Sequence, residues 1–145
     1  MNEVSVSNFE EGRLFDFGIT LLSEEDIIAF ATAFDPLDFH IDKEKAKKSY
    51  FKGIIASGAH MFTKVHREKW IPLFKDTVIC GIEINNWKFL KPIYPSQPIH
   101  GVVIITSIKR NPEHRHVVIN WRYEFKNTEN EMVQCMEMLI MHKID

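Results

Sequence analysis

The segment "FDPLDFHID", Phe34 to Asp42, sets three aspartates and one histidine among a proline and several large apolar residues. A carboxylate and an imidazole carried on one stiff, proline-containing loop can hold a water molecule between them. Asp35 and His40 are such a pair, with ordinary pKa values of about 4 and 6.5, so that one accepts a proton while the other donates. That is general acid–base chemistry on a bound molecule. The plainer readings stand beside it: Asp35, ahead of Pro36, is a turn residue, and His40 is a hydrogen-bonded histidine at the margin of a core.

The elements that must carry this loop follow from hydrophobic periodicity. Between Leu14 and Leu21 the apolar residues Phe15, Phe17, Ile19 and Leu21 alternate with Asp16, Gly18 and Thr20, which predicts a half-buried strand. Ser23 followed by Glu24, Glu25 and Asp26 is an N-cap with acids in the first turn. Ile27, Phe30, Ala31 and Phe34 then recur with helical spacing, predicting a helix that ends at Phe34. Pro36 disfavours the helical region at Asp35, so the chain is expected to run extended or turning through "DPLDFH". A short charged helix, "DKEKAKKS", is expected next, with Asp42 as its N-cap.

"GIIASGAHMFTKVHREKWIP" has no polar stripe in its first half and is expected to form a largely buried helix that opens at Ser57 or Gly58 and closes at Pro72. Sheet is expected beyond Pro72: Ile82 to Phe89 with a bulge at Asn85-Asn86, a short buried strand Val102–Ile105, a clear alternation from Val117 to Phe125, and, after the turn "KNTENE", a last strand from Met132 to His142. This is an α+β order in one domain spanning residues 1–145: a curled, five-stranded antiparallel sheet wrapped around one long buried helix.

Composition removes several function classes. The 145 residues carry 18 Lys plus Arg against 20 Asp plus Glu, a formal net charge of −2, with no long block of either sign. Nucleic acid is therefore not an expected partner. The longest aliphatic run, Val102–Ile105, is far short of the ~20 residues of a membrane helix. The N-terminal "MNEVSVSNFEEG" has acids and no apolar core of a secretory signal, and a cytoplasmic chain is expected. Cys80 and Cys135 lack C-x-x-C spacing and read as small core residues. His114 and His116 have no third ligand nearby and read as a hairpin end, so no metal and no bound cofactor are expected.

The stretch from Phe34 to Phe62, "FDPLDFHIDKEKAKKSYFKGIIASGAHMF", resembles the motif of the MaoC-like dehydratases, relatives of the (R)-specific enoyl-CoA hydratases with a hot-dog fold. The family's Asp, His, Asp, Ala, Phe, Gly and helix-opening Gly correspond to Asp35, His40, Asp42, Ala46, Phe51, Gly53 and Gly58. "WKFLKPIYPSQPI" looks like the strand and proline-containing turn that follow the helix in such proteins. The chain departs from the family at Leu37 and Asp38, where Asn and Pro are usual.

The resemblance implies a hydro-lyase acting on acyl thioesters of coenzyme A or an acyl carrier: hydration of a 2-enoyl thioester, or dehydration of a 3-hydroxyacyl thioester. It gives catalytic roles to Asp35 and His40, and to Gly58, where the absence of a side chain lets a thioester oxygen approach a free N–H at the positive end of a helix. Ile55, Ser57, His60, Met61 and Phe62 are the candidate substrate-binding residues, His60 competing with a place in the core. Lys88, Lys91, Arg110 and Arg122 are equivalent candidates for coenzyme A phosphates. A homodimer or higher homo-oligomer is implied. Two other functions remain open on the residues: thioester hydrolysis, for which the buried helix offers His60 and Thr63 in place of an acid, and a non-catalytic acyl-thioester-binding module, which Leu37 favours.

Overall fold

A computed structural model describes residues 5–144; the first four residues of the N-terminal segment lie outside the described residues. The chain enters through Leu14–Thr20 (β1) and Glu24–Phe34 (α1), whose N-cap Ser23 accepts from the Asp26 N–H at 3.0 Å. Two short helices follow, Asp38–Ile41 (α2) and Lys43–Lys47 (α3), and α3 is capped by the Asp42 side chain as its sequence implies. The central helix begins at Gly58 (Gly58–Val65, α4), passes through a π turn at His66–Trp70, and continues as Ile71–Phe74 (α5). Four long strands complete the chain: Val78–Phe89 (β2), Ile99–Asn111 (β3), His116–Lys126 (β4) and Met132–Lys143 (β5).

The strands form one antiparallel sheet in the order β1-β3-β4-β5-β2, curled around the central helix as the resemblance implied. Met61, Val65, Trp70 and Phe74 of the helical segment meet Ile119, Trp121, Tyr123 and Phe125 of β4 in the core. The strict alternation of β4 is what allows this, since every second residue from Val117 to Phe125 faces inward and is buried. Trp121 packs edge-on against Trp70 with ring centroids 5.4 Å apart.

Four expectations are corrected by the folded chain. Helix does not close at Pro72. The π turn spaces Val65 and Trp70 five positions apart rather than the four of an α-helical turn, keeping both on the inner face, and Pro72 then falls in the first turn of α5, where its missing N–H is no loss. The strand expected at Val102–Ile105 runs from Ile99 to Asn111, because pairing with β4 continues as far as Arg110 opposite Val117 and Asn111 opposite His116, a stretch whose own β3 side chains are largely exposed and carry no aliphatic pattern. In β1 the register shifts between Asp16 and Gly18; Gly18, at φ +73°, turns the strand so that Ile19 and Leu21 are 60% and 51% exposed while Thr20 is buried. Cys135 is buried as expected, but Cys80 is exposed, since β2 is an edge strand with one face open.

The bulge expected at Asn85-Asn86 is present: the register of β2 on β5 shifts between Asn85 and Lys88, with Asn86 at φ +51°. In α1, Ile27 and Ala31 are buried, whereas Phe34 is 75% exposed at the helix end.

Candidate active site

Helix α1 ends as Pro36 demands, and the Asp35 N–H closes the last turn on the Ala31 carbonyl at 2.7 Å. Leu37 stays extended, but Asp38–Ile41 winds into one helical turn where an extended or turning segment was expected. The turn places His40 inward. Its N–H bonds the Leu37 carbonyl, and its ring is only 4% exposed.

Segment 54–57 threads behind this turn. Ile55 N–H bonds the Phe39 carbonyl at 3.1 Å, Ala56 N–H bonds the Ile93 carbonyl at 2.8 Å, and the Ile55 carbonyl accepts from His40 Nδ1 at 2.6 Å. A carbonyl only accepts, so Nδ1 carries a proton and Nε2 is the position free to exchange one. Asp35 Oδ2 lies 3.4 Å from Nε2, and the same oxygen accepts the Ser57 hydroxyl at 2.8 Å. Asp35 therefore faces both the imidazole and the last residue before α4.

Gly58 opens α4. Its N–H and that of Ala59 have no backbone or side-chain partner among the described residues, as first-turn amides of a helix ordinarily lack. A Cβ on Gly58 would lie 2.6 Å from the Phe89 ring, so the position is closed to a side chain unless that ring moves. A cleft of ≈ 390 Å³ runs from here, lined by His40, Ile55, Ser57, Gly58, Phe89 and Gln134 among others. Its walls are otherwise largely apolar, from Ala56, Pro92, Ile93 and Val133, with Tyr50 and Lys91 also in the lining.

The structure thus brings together Asp35, His40, Ile55, Ser57 and Gly58. It places His60, Met61 and Phe62 elsewhere. His60 stacks on Phe30 with ring centroids 4.4 Å apart, and burial holds its imidazole below the usual value. Met61 is fully buried, and Phe62 packs edge-on against Tyr123 at 5.0 Å. Thr63 donates back to the Ala59 carbonyl within α4. Leu37 is half exposed, and Asp38 pairs with Lys45 at 3.6 Å, so neither joins the Asp35–His40 pair.

Of the basic candidates, Arg110 is spent on the Ser7 and Phe9 carbonyls and Arg122 on Glu124, while Lys91 pairs with Glu131 at the cleft rim. His114 and His116 stack at the β3–β4 hairpin, their centroids 5.9 Å apart. Among the described residues, no group of three or more His, Cys, Asp or Glu side chains is placed to hold a metal ion, and no helix is long and apolar enough to cross a membrane.

Sequence reasoning passed over Gln134 and Phe89. The signal for Gln134 was a lone amide inside the apolar run Met132 to Met136; Phe89 gave none, because its contact with Gly58 joins distant parts of the chain.

The family model described as "MaoC like domain" matches residues 6–124. The protein YdeM of Bacillus subtilis, itself uncharacterized, is 36% identical over 102 residues, covering 69% of this chain and 72% of that protein. Among solved structures, a MaoC-like dehydratase from Rhodospirillum rubrum superposes with a TM-score of 0.84 at 23% identity, covering 98% of each chain. The (R)-hydratase PhaJ1 of Pseudomonas aeruginosa, unliganded, gives a TM-score of 0.73 at 19% identity over 99% of this chain and 88% of its own. These likenesses identify the hot-dog fold.

Proposed function

The chain belongs to the MaoC-like dehydratase family, and on that premise we propose that it catalyses (R)-specific hydration of 2-enoyl thioesters, or the reverse dehydration of 3-hydroxyacyl thioesters, with Asp35 and His40 as an acid–base pair. The observation that carries this reading is the approach of Asp35 Oδ2 to His40 Nε2 at 3.4 Å, beside a cleft that begins at the free amides of α4. A water held between the two groups gives a proton to the pair as its oxygen adds to the β-carbon. The electron pair displaced from the double bond moves to the thioester oxygen, where the Gly58 N–H and the helix dipole receive the charge. The pair then returns a proton to the α-carbon, so that water is added across the bond and the residues are regenerated.

His40 suits this traffic. With Nδ1–H held by the Ile55 carbonyl, Nε2 accepts when the ring is neutral and donates when it is protonated, without the ring turning. The apolar walls beyond Gly58 suit an acyl chain, and the Tyr50–Lys91 rim suits a polar carrier, coenzyme A or an acyl carrier protein. We further propose that the chain forms one domain and works as a homodimer or higher homo-oligomer in the cytoplasm.

Adding crotonyl-CoA and following the enoyl-thioester absorbance tests the reading. Loss of the band, with formation of the (R)-3-hydroxy product, is the expected result. Binding without turnover would replace it with a non-catalytic acyl-thioester module.

A further inference from the structure

Gln134 is the third residue of β5 and is 2% exposed, a placement that polar side chains take at a cost unless a partner repays it. The register sets it opposite Phe89 of β2 and Phe125 of β4, so the three side chains form one row on the face that meets the central helix. Its Nε2 donates to the Gly58 carbonyl at 2.5 Å. Its Oε1 is buried with no hydrogen-bond partner among the described residues. An amide retained with one end unsatisfied is poorly explained by stability alone, since an apolar side chain of the same shape would leave no orphan.

The Gly58 carbonyl and the Ala59 N–H belong to one peptide group. Fixing the carbonyl from outside the helix fixes the plane of that peptide, and a bond accepted at the oxygen polarises the group so that its N–H donates more strongly. Beside it in the same row, the Phe89 ring lies against Gly58, where a Cβ would come within 2.6 Å of it. The first turn of α4 is thus held by two neighbours in the same sheet row, at the end where its amides are free.

We propose that Gln134 is a positioning residue of the site: its amide clasps the Gly58 carbonyl, and so holds the first turn of α4 and polarises the Ala59 N–H, which joins the Gly58 N–H in receiving the developing negative charge of the thioester oxygen. The proposal rests on the lyase reading for its catalytic consequence, but the clasp itself is a property of the unliganded chain.

Gln134→Met keeps the length of the side chain and removes the amide. In that variant the ¹³C resonance of the Gly58 carbonyl and the amide resonances of Gly58 and Ala59 are expected to move, while kcat on crotonyl-CoA falls about tenfold or more with KM within about twofold, as befits a group felt mainly in the transition state. The thermal midpoint is expected to hold or rise, because the orphan Oε1 is gone. Unchanged Gly58 and Ala59 resonances would overturn the clasp, whatever the activity. Unchanged kcat in an active protein would overturn its catalytic role, as would a kcat loss matched by a fall in the midpoint. If the unsubstituted protein turned over no thioester, the lyase reading would fail by itself, and the resonances would still decide the clasp.

Discussion

Ser57 Oγ donates to Asp35 Oδ2 at 2.8 Å, tying the end of α1 to the residue before α4 across 22 positions of sequence. The bond orients the carboxylate so that the same oxygen faces His40 Nε2 at 3.4 Å. Asp35 is thereby fixed at both ends, by its backbone as the cap of α1 and by its side chain through Ser57.

If Asp35 and His40 share one water, Asp35→Asn and His40→Ala each lower kcat by roughly 10²–10⁴, with a smaller change in substrate binding. The double variant is scarcely slower than either single one, because groups that act as a unit are not additive. Ser57→Ala, which frees the carboxylate without removing it, costs about tenfold. Steady-state rates on crotonyl-CoA check all four. An Asp35→Asn protein that melts normally and keeps the full rate would remove the mechanism.

Gly58→Ala separates stability from chemistry. The added methyl meets the Phe89 ring, but that ring is 62% exposed and can swing toward solvent, so the thermal midpoint falls by only a few degrees. The same methyl stands where a thioester oxygen must approach, and kcat falls by about 10² or more. Calorimetry beside steady-state kinetics checks the split; parallel losses in both would assign Gly58 to packing.

Much of this was legible in the sequence because the controlling interactions are local or periodic. Ser23 and Asp42 cap the helices their positions imply, and β4 follows its alternation residue by residue. Asp35, His40 and Gly58 stand in a motif whose spacing belongs to the family. What escaped depends on contacts between distant segments. The helical turn at Asp38–Ile41 is tied by Phe39 and His40 to Ile55, which no local propensity foretells. Met61 and Phe62 are candidate substrate-binding residues by their place in the sequence, yet in the folded chain Phe62 packs on Tyr123 and both belong to the core. Gln134 reaches Gly58 across 76 residues, a relationship set by the register of β5 alone.

Two histidines, His142 buried and His66 partly so, make the fold sensitive to mild acid. His142 donates from Nδ1 to Thr77 Oγ1, whose own proton goes to the Phe74 carbonyl, and accepts from Trp121 Nε1 at 3.0 Å. The neutral ring satisfies every partner, and protonating it would set two donors against each other. Burial pushes His142 and His66 down to about 4. As pH falls from 6.5 toward 4 the unfolded chain takes up protons at these rings while the folded chain does not, so stability is complete above pH 6.5 and declines below it. The slope is at most about 1.4 kcal/mol per pH unit for His142, and less for His66, which solvent partly reaches. Glu131, held down to about 2 first by its hydrogen bond to Lys91, adds its own loss only below pH 4.5. Denaturant titrations at pH 7, 6 and 5 check this. His142→Gln, though less stable at pH 7, is expected to show a shallower decline, and an unchanged slope would assign the acid sensitivity elsewhere.

The last prediction concerns the open edge of the sheet. Among the described residues β2 pairs only with β5, and along it Ile79, Ile82 and Ile84 are 50%, 45% and 53% exposed. A twelve-residue edge strand with three exposed isoleucines and unpaired backbone groups is a template for a second strand, and a protein that remains dispersed must cover it. A second copy of the same edge does so with self-complementary pairing about a two-fold axis. The expected species is therefore a dimer or larger even-numbered assembly rather than a 17.0 kDa monomer. Ile84→Lys places a charge on that edge without touching the core, and its like-charged neighbour across the two-fold axis repels it. Sedimentation at micromolar concentration should show the unsubstituted chain as an oligomer and Ile84→Lys shifted toward monomer, with far-ultraviolet circular dichroism preserved. A monomeric unsubstituted chain would show that the β2 edge is left open, and the cleft complete within one protomer.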